Sequence, residues 1–90
     1  MITIRFLTVP NQSAYQYCQA SLFRSKKDLE NDTPFYTGLE RLNQNAINIA
    51  ERLKFERKTQ AKLEFSGAFS DRDRKTVNTA LARRRIKIRS

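Results

Sequence analysis

The sequence predicts an α+β fold: a two-layer sandwich of β-α-α-β-α-β order, with a three-stranded mixed sheet and a long central helix. Three observations lead there. The chain opens on a β-branched, apolar run from Ile2 to Val9. An apolar seam at spacings of four and three runs from Phe35 to Leu53, and a strand, helix and strand pattern occupies Ala61 to Arg89. With 90 residues, 39% of them apolar, the chain makes one small globular domain over residues 1–90, since a core of this size cannot be divided in two.

In the first strand Ile2, Ile4 and Phe6 alternate with Thr3 and Arg5, and Pro10 ends the run. Asn11 or Ser13 then caps a helix that places Tyr15, Cys18, Leu22 and Leu29 on one side. Arg24 to Asp32 is polar and reads as a last turn fraying into a loop. Thr33 and Pro34 form a start signal for the second helix, a capping hydroxyl followed by a residue whose missing amide hydrogen costs nothing there. Its apolar residues fall at Phe35, Leu39, Leu42, Ala46, Ile49 and Leu53. That periodicity predicts about 24 residues and about 36 Å of helix. The seam suits the core face of a helix on a sheet, and a homodimer through the long helix is the rival use.

Ala61, Leu63 and Phe65 alternate with Lys62 and Glu64 as a strand, and Ser66-Gly67-Ala68 is a turn. Ser70 with Asp71 and Asp73 supplies a cap and two carboxylates at the positive end of a third helix, while Arg83, Arg84 and Arg85 suit its negative end. Val77, Ala80 and Leu81 are its buried face. Ile86 and Ile88, alternating with Lys87 and Arg89, make the last strand. The strands flanking this helix are expected to lie parallel through a right-handed crossover, with the first strand antiparallel between them.

Charge gives the strongest functional signal. Met1 to Ala50 carries five basic residues against four acidic ones; Glu51 to Ser90 carries thirteen against five. The final stretch from Arg74 to Ser90 has seven basic side chains and no carboxylate. A one-sign cluster of this density points to a polyanionic or acidic partner. On the third helix Arg72, Lys75, Thr79 and Arg83 lie opposite Val77 and Leu81, at about 100° per residue. Arg85, Lys87 and Arg89 are expected to share one face of the last strand. Beside them, Phe55 is turned about 200° from Leu53 and stands among Lys54, Arg57 and Lys58. There it either stacks on a base or packs against a neighbouring strand or a partner protein.

Catalytic alternatives find little support. No histidine is present, which removes Ser-His and Cys-His nucleophiles and the usual cysteine and histidine zinc sites. Two glycines, Gly38 and Gly67, cannot write a phosphate-cradling loop or a dinucleotide fingerprint. Asp71 with Asp73, and Glu56 with Lys58, have spacings that suit a metal nuclease, but helix-start and solvated-end roles account for them. Single Cys18 reads as a buried thiol. With no long apolar stretch and no secretory layout at Met1 to Arg5, the chain is expected to be cytoplasmic and away from membranes.

The expectation is therefore a non-catalytic, cofactor-free protein that binds DNA or RNA through a basic C-terminal surface. Its contact residues are Lys54, Phe55, Arg57, Lys58, Arg72, Lys75, Arg83, Arg85, Lys87 and Arg89. The alternative is a small interaction protein that occupies an acidic or nucleic-acid-binding surface of a larger complex. Phage and plasmid inhibitors of bacterial defence, anti-CRISPR proteins among them, are similar in this general profile: short, single-domain and without catalytic residues.

Overall fold

Alternation shapes the first strand. In β1 (Thr3–Thr8), Ile4 and Phe6 are fully buried on one face while Arg5 and Leu7 emerge on the other. The computed structural model describes residues 1–13 and 16–89. Among them, five strands and three helices give an α+β fold.

After β1 the chain turns back as a strand where a helix is expected. Cys18–Phe23 forms β2, antiparallel to β1, with Ile4 opposite Leu22 and Phe6 opposite Ala20. Tyr15, the first apolar member of the expected helix, lies outside the described residues. The helical spacing of Cys18 and Leu22 misleads for a physical reason. Cys18, Ala20 and Leu22 face the core, but Ser21 and Phe23 are buried on the opposite side, so the alternation of a half-covered strand is missing.

Ser25 then caps a short helix, α1 (Lys26–Glu30), accepting from the Asp28 amide at 3.1 Å where a loop is expected. Thr33 starts no helix, because its hydroxyl donates to the Asp28 carbonyl at 3.3 Å. The Phe35 amide donates to the Leu22 carbonyl at 2.9 Å and leads into β3 (Tyr36–Glu40), antiparallel to β2. Aromatic, β-branched and glycine residues at Tyr36, Thr37 and Gly38 are weak helix formers, and strand pairing outweighs the heptad-like spacing of Phe35 and Leu39.

The expected long helix is consequently α2 (Leu42–Phe55), only 14 residues. Leu42, Ala46, Ile49 and Leu53 are buried in this chain's own core, the use expected of a helix packed on a sheet. Asn45 fixes the position of α2. Its buried amide nitrogen donates to the Cys18 carbonyl at 2.6 Å and to the Glu40 carbonyl at 3.3 Å, tying the helix to β2 and β3.

The last third of the chain follows its local signals. β4 (Gln60–Ser66) ends at Gly67, whose φ of 108° is left-handed and whose added Cβ would collide with the Thr8 hydroxyl. Ser70 and Asp73 exchange backbone-to-side-chain bonds of 3.1 and 3.0 Å, a capping box that opens α3 (Asp71–Arg83). β5 (Lys87–Arg89) then pairs parallel with β4, as expected.

The sheet has five strands instead of three, in the order β3-β2-β1-β4-β5. β1 lies beside β4 and parallel to it, not between β4 and β5. Both crossovers, from β3 to β4 and from β4 to β5, advance in the same direction. Right-handed connections therefore put α2 and α3 on one face, where they pack against each other. α1 belongs to the other face, where Lys26 and Leu29 share a hollow with Thr3, Lys62 and Glu64. No helix among the described residues is long and apolar enough to cross a membrane.

Candidate nucleic-acid interface

α3 presents two faces with different chemistry. Val77, Ala80 and Leu81 are buried against the sheet, and Arg72, Lys75, Thr79 and Arg83 are exposed. Because α2 packs alongside, those outward residues become one wall of a groove of about 550 Å³, with Asn43 and Ile47 of α2 opposite and Ala80 in its lining. Arg72 and Arg83 are separated by eleven residues on α3, about 16 Å along its axis. Thr76 lies between them, but its hydroxyl already donates to the Arg72 carbonyl at 3.0 Å and can only accept from a ligand. The lining donors with no side-chain bond among the described residues are the Arg72, Lys75, Arg83 and Arg84 side chains, the Asn43 amide and the Thr79 hydroxyl.

Below the groove's own lining, a lower cluster of cations gathers where α2 and α3 end; within it Lys58 lines a separate hollow with Met1, Ile2, Arg24 and Gln60. The Lys87 amide donates to the Thr59 carbonyl at 2.8 Å, which brings the loop after α2 beside the loop after α3. Lys54, Arg57 and Lys58 thus stand at the same end of the molecule as Arg83, Arg84 and Arg85, and all but half-buried Arg84 are exposed. Phe55 is 79% exposed. It packs under no neighbouring strand, and the Arg52 guanidinium carbon lies 6.0 Å from its ring centroid.

Two of the expected contacts point elsewhere. Ile88 packs on the core, so Lys87 and Arg89 project from the opposite sheet face, next to Gln60 and Lys62 in the strand register. Arg89 lines the hollow beside α1 with Lys26 and Lys62. Arg85 precedes the strand and sits in the left-handed region at φ 60°, so it does not share a strand face with them. Strand alternation separates what the basic run from Arg83 to Arg89 joins in sequence. Conversely, Arg84 and Asn43 line the groove without having been expected there. Asn43 is hidden when α2 is started too early, although its spacing of four from Ile47 marks a common helix face.

The carboxylates leave this surface uncompensated. Among the described residues, ion pairs within 4 Å join Arg5 to Asp32 and Glu64, and Arg24 to Glu56. None involves the groove or the lower cluster. Asp73 is engaged in the capping box, and Glu51 is the one carboxylate on α2. Of the two candidate metal pairs, Asp73 serves the capping box and Glu56 bonds Arg24 at 2.7 Å; no three acidic or cysteine side chains cluster among the described residues. Cys18 is fully buried, and loss of solvation pushes its thiol above the ordinary value, only partly offset by a bond from Asn45.

The groove and lower cluster can therefore hold successive phosphate oxygens by charge-assisted bonds and counterion release. Comparison with protein-family models, with curated proteins and with solved structures gave no match for this chain.

Proposed function

We propose that this protein is a non-catalytic nucleic-acid-binding domain in which the groove between α2 and α3 holds a phosphate backbone. The observation that carries the reading is the unpaired basic wall of Arg72, Lys75, Arg83 and Arg84 facing the neutral Asn43 and Ile47. Four cations within about 16 Å of helix repel one another, and a polyanion relieves that repulsion. These are contacts to backbone, so little sequence preference is expected.

Titration of duplex DNA, single-stranded DNA and an RNA hairpin at two salt concentrations tests the proposal. Affinity is expected to fall steeply with salt, with a slope set by about four to six phosphates. Salt-independent binding, or none to any probe, would reject it.

A second reading rests on the opposite sheet face. Leu7 and Leu39 flank Gln19 in one cross-strand row, and both leucines are exposed. This uncharged row supports docking on a larger protein complex, in the manner of a small inhibitor. Stoichiometric capture of one complex without a shift of naked nucleic acid would favour it.

A further inference from the structure

All three helices end in the same way, and two of the endings carry an unusual residue. After α2, the Arg57 amide donates to the Lys54 carbonyl at 2.9 Å and the Lys58 amide to the Leu53 carbonyl at 2.8 Å. After α3, the Arg85 amide donates to the Ala82 carbonyl at 2.9 Å and the Ile86 amide to the Leu81 carbonyl at 3.0 Å. These are paired bonds of a Schellman cap, whose pivot residue must be left-handed and is usually glycine. Here the pivots are arginines, at φ 57° and φ 60°. α1 has the same cap with Asp32 at φ 53°, but aspartate tolerates that conformation through its short polar side chain, as arginine does not.

The helix dipole does not account for this choice. Cations near a helix C-terminus are favourable, but Lys54 and Lys58 already serve α2, and Arg83 and Arg84 serve α3. A glycine at either pivot would keep those cations and remove the strain. Nor do the arginines hold the fold together. Both are exposed, neither forms an ion pair within 4 Å among the described residues, and the nearby Glu56 is engaged by Arg24.

The fold places the two pivots side by side. Arg57 and Arg85 each stand two residues before Thr59 and Lys87, which are joined by the 2.8 Å bond between neighbouring parallel strands. Helices packed as α2 and α3 are lie about 8–10 Å apart, a gap that two long arginine side chains and one phosphate can span. We infer that Arg57 and Arg85 form a two-arginine clamp for one backbone phosphate at the lower end of the helical groove, with fold stability given up at both cap pivots to hold it. The clamp rests on the nucleic-acid reading above and identifies where the strand is gripped as it leaves the groove. Such strain, found at two adjacent exposed sites, is the kind stored where a ligand is bound.

Glycine substitution separates binding from folding, because it improves the cap while removing the fork. Arg57→Gly, Arg85→Gly and the double variant are compared with the wild-type chain by thermal melting and by titration with duplex DNA, single-stranded DNA and an RNA hairpin. Each replacement is expected to raise Tm by about 3–6 °C. Each is expected to weaken binding about tenfold and to lower the salt slope by about one. Arg57→Asn with Arg85→Asn, which also accepts the left-handed pivot, provides a second pair should glycine loosen the caps. If the wild-type chain binds and both double variants bind as tightly, the clamp is wrong and the groove reading stands. If the wild-type chain binds none of the probes, both fall together.

Discussion

Arg5 and Arg24 are surrounded by partners, whereas Arg72, Lys75, Arg83 and Arg84 form no ion pair within 4 Å among the described residues. Arg5 bonds Glu64 at 2.6 Å, stands 3.6 Å from Asp32 and lies 4.9 Å over the ring of Phe23. Arg24 bonds Glu56 at 2.7 Å and lies 3.9 Å over Phe35. In that region guanidinium groups connect β1, β4, α1 and the end of α2. On the helical face the same side-chain type repels its neighbours and makes no ion pair among the described residues. Composition alone cannot tell a paired cation from an unpaired one; distance to the nearest carboxylate can.

Charge reversal on the helical face should give the largest effect. Arg72→Glu with Lys75→Glu and Arg83→Glu is expected to reduce nucleic-acid affinity about a thousandfold at moderate salt, in anisotropy titrations, while Tm stays within about 4 °C. Equal losses of affinity and stability would erase the distinction between the regions. Arg5→Ala should do the reverse, lowering stability by about 1–2 kcal/mol through loss of a bonded ion pair and a cation–π contact. Denaturant unfolding would record it, and binding should be unchanged.

Arg24→Ala is expected to cost about 1 kcal/mol, since Glu56, 16% exposed at its side chain, loses its partner. A weaker loss than for Arg5→Ala follows from the greater exposure of Arg24, 51% against 27%. The smallest effect comes from Cys18. Burial raises its thiol above the ordinary 9.0, so the folded state favours the neutral form. Its contribution is complete below about pH 9 and is lost as pH rises through the folded value. Wild-type unfolding free energy should therefore fall more than that of Cys18→Ala between about pH 8 and about pH 10; parallel curves would place the thiol in contact with water.

Legibility in the sequence followed the range of the deciding interaction. Ser70 and Asp73 lie three residues apart and bond each other, and Gly67 occupies a turn whose φ only glycine adopts easily. Such signals can be read without knowing the rest of the chain. β2 and β3 were hidden because each is specified by its neighbour. Phe23 pairs opposite Thr3 and Leu22 opposite Tyr36, contacts that no window along the chain contains. The candidate site divides in the same manner. Helical spacing identifies Arg72, Lys75 and Arg83, and the exposure of Phe55 agrees with its turn away from Leu53. The placement of Lys87 and Arg89 on the far sheet face depends on Ile88 packing inward, a tertiary fact.

By itself the sequence determined the excess of positive charge, the capped and amphipathic third helix, the glycine turn and the β4 to β5 crossover. Tertiary structure decided which cations share a surface. Helix periodicity and capping are settled within a few residues by backbone bonding, but strand pairing and helix packing are settled by burial against segments distant in the chain. Those long-range contacts set Arg84 and Asn43 in the lining of one groove, bring the ends of α2 and α3 to one end of the molecule and turn Arg89 away.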